Sequence, residues 1–89
     1  MKTLICEDEL ITAEYLKETC ENAGYPVVGV VGNYLDAKAA ISVHKPSLIL
    51  LDINLEGQAE GIQIAKEIKE QFGIPFIFIT AFTDLDTIN

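Results

Sequence analysis

Leu48-Ile49-Leu50-Leu51-Asp52 is an apolar run that ends in a carboxylate. Four consecutive aliphatic residues behind Pro46 and Ser47 predict a strand buried on both faces, the kind found inside a parallel sheet. Such a strand leaves an acid no solvent-facing position along its length. Asp52 is therefore expected at the carboxyl end, which is the side of an open α/β sheet on which ligands bind.

Around that strand there is room for one domain and one modest core, since the chain has 89 residues. Hydrophobic residues make up 49% of it and charged residues 22%, with three prolines and six glycines, a globular balance. The net charge of −8, from 14 acids against 6 Lys and Arg, disfavours direct contact with nucleic acid or anionic membrane and favours cations and basic patches as partners. Cys6 and Cys20 are too few and too far apart for a disulfide framework or a zinc site. They are read as small buried hydrophobes in a reducing, cytoplasmic compartment. Lys2 precedes only four apolar residues, too short for a signal peptide, and no segment approaches the ~20 apolar residues of a membrane span.

Strand and helix signals alternate along the chain. Thr3 to Cys6 is a short strand. Ala13, Leu16, Cys20 and Ala23 recur at helical spacing among Glu14, Lys17, Glu18 and Glu21, and Gly24 and Pro26 stop that helix. Val27 to Val31 is a second strand, which Gly29 either weakens or opens to a close neighbour. Asn33 with Asp36 three residues on forms a capping box for a helix whose buried stripe is Ala37, Ala40 and Ile41, closed by Lys45-Pro46. After the Asp52 strand comes a polar loop, Asn54 to Gly61, and a helix presenting Ile64, Ala65, Ile68 and Phe72, with Gly73 as its C′ residue. Ile74 to Ile79 is a fourth strand ending in Thr80-Ala81, and Thr83 with Asp84 and Asp86 opens a further helix. Tyr34, Phe72, Phe76 and Phe78 are assigned to the core, and His44 to a solvated helix end. The order βαβαβαβ predicts a parallel α/β sheet with right-handed crossovers and helices on both faces. A fourth strand rich in Ile and Phe is a poor outer edge, so the chain is read as part of a larger domain.

Carboxylates collect where these strands end. The first strand runs into Glu7-Asp8-Glu9, the third into Asp52, and the fourth into Thr80. If the first and third strands are neighbours, Glu7, Asp8 and Asp52 converge. An oxygen-only cluster of this kind suits Mg²⁺, and without a cation mutual repulsion pushes at least one acid towards its protonated form. Acids also favour helix N-termini, which would account for Glu7 to Glu9 alone but not for Asp52. Thr80 beside the small Ala81 leaves space for a group that accepts a hydroxyl hydrogen bond. Gly29-Val30-Val31-Gly32 lacks the Lys-Ser/Thr of a phosphate loop, so nucleotide-loop readings fail.

Strand-Glu7-Asp8, strand-Asp52 with Asn54 two residues on, and strand-Thr80-Ala81, in this order and spacing, resemble the receiver domain of two-component response regulators. The resemblance covers all 89 residues and about the first three quarters of a receiver. It implies a flavodoxin-like parallel sheet of strand order 2-1-3-4, with residues 1–89 ending after the fourth strand and the start of the fourth helix. It further implies Asp52 as phosphoacceptor from a sensor histidine kinase or phosphotransfer protein, and Mg²⁺ held by Glu7, Asp8, Asp52 and the backbone carbonyl of Asn54. Thr80 would bond the phosphoryl group and act as the switch. The chain would then be a signalling domain rather than an enzyme, with a homodimer as a second type of partner.

Two departures stand out. The lysine and switch aromatic of the family's fifth strand have no counterpart after Thr80, and the loop from Asn54 lacks the usual Met-Pro and is one residue longer. The competing readings are a receiver-like interaction or dimerisation module without phosphoryl chemistry, and a Mg²⁺-dependent aspartyl phosphohydrolase. The latter needs an acid where this chain has Asn54.

Overall fold

A computed structural model of the chain describes residues 2–52 and 65–79. The elements among them are β1 (Thr3–Cys6), α1 (Leu10–Asn22), β2 (Val27–Val31), α2 (Tyr34–His44), β3 (Leu48–Asp52), α3 and β4 (Phe76–Ile79). In α3, residues 65–67 are α-helical and continue into a π-helix, Ile68–Phe72. The loop from Asn54 to Gly61, Ile64, Thr80 and the helix start at Thr83 lie outside the described residues. All strand pairs are parallel, and the sheet order is β2-β1-β3-β4, as expected for the flavodoxin-like arrangement.

The pleat divides the sheet residues between two unequal faces. Leu4, Cys6, Ile49 and Leu51 are buried under Ala37 and Ile41 of α2 and Ala65 and Ile68 from the α3 side, with Tyr34, Ala40, Phe72 and Phe76 packed at the margin. Each fully buried aliphatic chain contributes about 2 kcal/mol by leaving water. The other face carries Thr3 and Ile5, both buried, and is covered by α1, which packs on β1 and β2 and buries Ala13. Beyond the reach of α1, Leu48 and Leu50 are only half-buried and Ile77, in register with Leu50, is 54% exposed. In β3, Ile49 and Leu51 are therefore buried as expected, whereas Leu48 and Leu50, on the other face, are not.

Two other core assignments need correction. Phe78 is 39% exposed, because among the described residues its strand has a sheet neighbour on one side only. Its ring instead meets Phe76 edge-on, with centroids 5.3 Å apart. Cys20 is half-buried near the end of α1, whereas Cys6 is fully buried in β1.

Local signals account for the helix ends. The Asn33 side chain accepts the Asp36 N–H at 2.8 Å, the N-cap read from the sequence, while the return bond of the expected capping box runs from the Asn33 side-chain amide to the Asp36 carboxylate at 2.9 Å rather than from the Asn33 backbone N–H. Asn33→Ala is expected to lower stability by about 1 kcal/mol with an unchanged m-value in urea unfolding. At the far end of α2, Lys45 adopts a left-handed conformation, φ 48°, and its N–H donates to the Ile41 carbonyl at 3.0 Å. Gly73 closes α3 in the same way, φ 65°, donating to Ile68 O at 2.9 Å. The strand expected from Ile74 begins at Phe76, because Pro75 has no N–H to give the ladder, although its carbonyl still accepts from Ile49 N–H at 3.1 Å. Among the described residues, no helix is long and apolar enough to cross a membrane.

Candidate functional site

Because β1 and β3 are adjacent and Cys6 pairs with Leu51, the next residue of each strand, Glu7 and Asp52, emerges at the same edge of the sheet. The Glu7 N–H donates to Val31 O at 2.9 Å, so its backbone extends the β1–β2 ladder by one residue. Glu7 and Asp52 are each only 7% exposed, while Asp8 lies open to solvent. Carboxylate oxygens of Glu7, Asp8 and Asp52 all lie within 4.8 Å of one another. The convergence expected from strand adjacency is thus present.

The helix-entrance explanation of the acidic run does not account for Glu7. Glu9 is the N-cap of α1, but its side chain makes no capping bond. The Glu9 N–H instead donates to Glu7 Oε1 at 3.0 Å, fixing that carboxyl in the cluster. Burial pushes the Glu7 carboxyl up to about 7. The Glu9 N–H opposes this, while the negative charge of Asp52, a hydrogen bond shared with Asp52 and the charge of Asp8 add to it. In physical terms, the Glu7 carboxyl favours its protonated form because it is buried beside other acids, the repulsion expected when carboxylates converge.

The donor set fits a hard divalent cation. It is made of oxygen, and two of its members are taken out of water in a way that a cation would offset. The nearby Cys6 thiol does not compete, since burial raises its pKa to about 12 and keeps it protonated. His44 is the last residue of α2, at the opposite end of the sheet. Asn54 and Thr80, the other residues assigned to the site, lie outside the described residues. One neighbour of the cluster was left unassigned by the sequence reading: Gly32, directly after β2. A Cβ placed there would stand 3.5 Å from Asp8 Cα, an ordinary van der Waals contact, so the β2 exit lies beside the acidic segment without requiring a glycine.

The sequence profile of the family described as "Response regulator receiver domain" matches residues 3–89. Among curated proteins, the transcriptional regulatory protein PdtaR of Mycobacterium tuberculosis (strain ATCC 25618 / H37Rv) is 32% identical over 88 residues, covering 99% of this chain and 42% of that protein. The phyllosphere-induced regulator PhyR of Methylorubrum extorquens is 37% identical over 82 residues, covering 91% of this chain and 31% of the relative. The chain thus spans less than half the length of these two relatives. Among solved structures, the anti-anti-sigma factor PhyR of Bartonella quintana, complexed with the anti-sigma factor NepR, superposes with a TM-score of 0.85 at 37% identity, covering 91% of this chain and 34% of that one.

Proposed function

The chain belongs to the response regulator receiver domain family, and on that footing we propose that it is a phosphorylatable signalling switch with Asp52 as the phosphoacceptor. Receiver domains of response regulators are signalling domains, generally not enzymes. The observation that carries the reading is the pairing of Asp52 with Glu7, two buried acids at the ends of adjacent strands with Asp8 beside them. In the proposed reaction a carboxylate oxygen of Asp52 forms a bond to phosphorus as the phosphorus–nitrogen bond of a phosphohistidine breaks. The imidazole of a sensor histidine kinase or phosphotransfer protein leaves with that electron pair.

Glu7, Asp8 and Asp52, with the backbone carbonyl of Asn54, would hold Mg²⁺. When bound, the cation supplies positive charge opposite the phosphoryl oxygens. Glu7 and Asp8 position the charge, the buried edge of the sheet limits water around Asp52, and the Thr80 hydroxyl would donate to the phosphoryl group and carry the change outward. A cytoplasmic location follows from a kinase as donor. The Bartonella quintana relative, seen with an anti-sigma factor, supports a protein as the partner that reads the switch.

Incubation of the full-length protein with acetyl phosphate and Mg²⁺ is expected to add the mass of one phosphoryl group, and chelation by EDTA to prevent it. No added mass under conditions that label another receiver would overturn the proposal in favour of an interaction module.

A further inference from the structure

At the end of the sheet opposite Asp52, α2 and α3 each finish in a left-handed residue, and a cleft of about 490 Å³ lies between their ends. It is lined by the apolar residues Ile41, Pro46, Phe72 and Ile74 and the polar residues Ser42, Gln71 and Lys45. This is the size and mixture expected of a site for a small ligand: mostly apolar, with a few convergent polar groups. The wall contains no acid, in a chain with 14 of them.

Lys45 is the informative member. It occupies the C′ position of α2 at φ 48°, where glycine is favoured and a side chain is strained. A lysine here could be explained by the partial negative charge of the helix end, but that role is already served. The Lys2 ammonium donates to the carbonyl of His44, the last residue of α2, at 3.4 Å, and the Ile41 carbonyl takes the Lys45 backbone N–H. No ion pair to the Lys45 ammonium is present among the described residues. A strained position therefore carries an unpaired cation at the mouth of an apolar cleft.

We infer that the cleft between α2 and α3 binds a small amphipathic carboxylate, its anionic head on Lys45 and its hydrocarbon or aryl body against Ile41, Phe72 and Ile74. Ser42 and Gln71, which line the same cleft, carry donors that can serve its second oxygen.

The test is a ¹H–¹⁵N NMR titration of the full-length protein with 3-phenylpropionate and, in parallel, its neutral analogue 3-phenylpropanol. The acid is expected to give saturable shifts at Ile41, Ser42, Gln71 and Phe72 and to bind about fivefold tighter than the alcohol, the scale of one exposed ion pair. Lys45→Gln should reduce the acid to the affinity of the alcohol, and Lys45→Arg should retain the preference. Lys45→Gly should lose it while raising the melting temperature. Equal binding of acid and alcohol to the unsubstituted protein, an acid preference surviving Lys45→Gln, or shifts confined to Ile77 and Phe78 would each overturn the inference. The acid-against-alcohol comparison needs no substitution, so it decides even if a variant fails to fold.

Discussion

Asp52→Asn in the full-length protein is expected to reduce phosphoryl incorporation from acetyl phosphate to background and, in metal-free buffer at neutral pH, to raise the melting temperature. Loss of labelling follows from chemistry, because an amide is a far weaker nucleophile than a carboxylate and cannot form the acyl phosphate. The gain in stability follows from the structure. Asp52 contributes both a negative charge and a hydrogen bond to the environment that holds the Glu7 carboxyl near 7. Removing that charge relieves repulsion between groups only 7% exposed. The two effects separate a nucleophile from a residue that merely supports the fold, whose loss would lower activity and stability together. Mass spectrometry and thermal melts read the two arms independently. Full labelling of the variant would move the phosphoacceptor elsewhere.

The second large effect is on pH and metal. The Glu7 carboxyl is raised from 4.5 to about 7 in the folded chain. Below 4.5 the group is protonated in both states, and the contribution of its bound proton to stability is fully present. Between 4.5 and 7 the folded chain keeps a proton that the unfolded chain has released. Stability must therefore fall as pH rises through that interval and level off above it. The expected loss is about 2 kcal/mol, smaller than the full shift would give because the cluster opens to water on the Asp8 side. Mg²⁺ should offset most of it: at pH 8 millimolar Mg²⁺ raises the unfolding midpoint, and at pH 5 it does so much less. Glu7→Gln should flatten the pH dependence. Urea unfolding at a series of pH values, with and without Mg²⁺, checks this, and stability that rises between pH 4.5 and 7 would contradict it.

The topology and the acidic cluster were legible in the sequence because both rest on abrupt local changes. Four aliphatic residues stopping at Asp52, and TLIC stopping at Glu7, mark strand ends without reference to the rest of the chain. A parallel sheet then brings those ends together. Asn33 with Asp36, and Gly73, declared helix ends through chemistry that needs only neighbouring residues. What could not be read was coverage. Whether Leu50, Ile77 or Phe78 is buried depends on where α1 and α3 lie across the sheet, and an aliphatic or aromatic residue looks the same in either case. The left-handed Lys45 was equally invisible, because the sequence announced a helix end there but not which residue would take the strained conformation. Likewise, repulsion among the acids was foreseeable, while its expression as a raised Glu7 carboxyl required the burial of that group and its contact with Asp52.

The strand order has a consequence for precision at the site. Among the described residues, Glu7 and Asp52 extend from β1 and β3, the two inner strands, each held by ladder bonds on both sides, whereas β2 and β4 are each held on one. Partial opening of a sheet starts at its margins, where the fewest bonds must break together. Fraying of β2 or β4 would thus leave the spacing between the two acids intact, and only disruption of the whole sheet would separate them. The geometry that fixes these carboxylates is carried by the last part of the fold to yield.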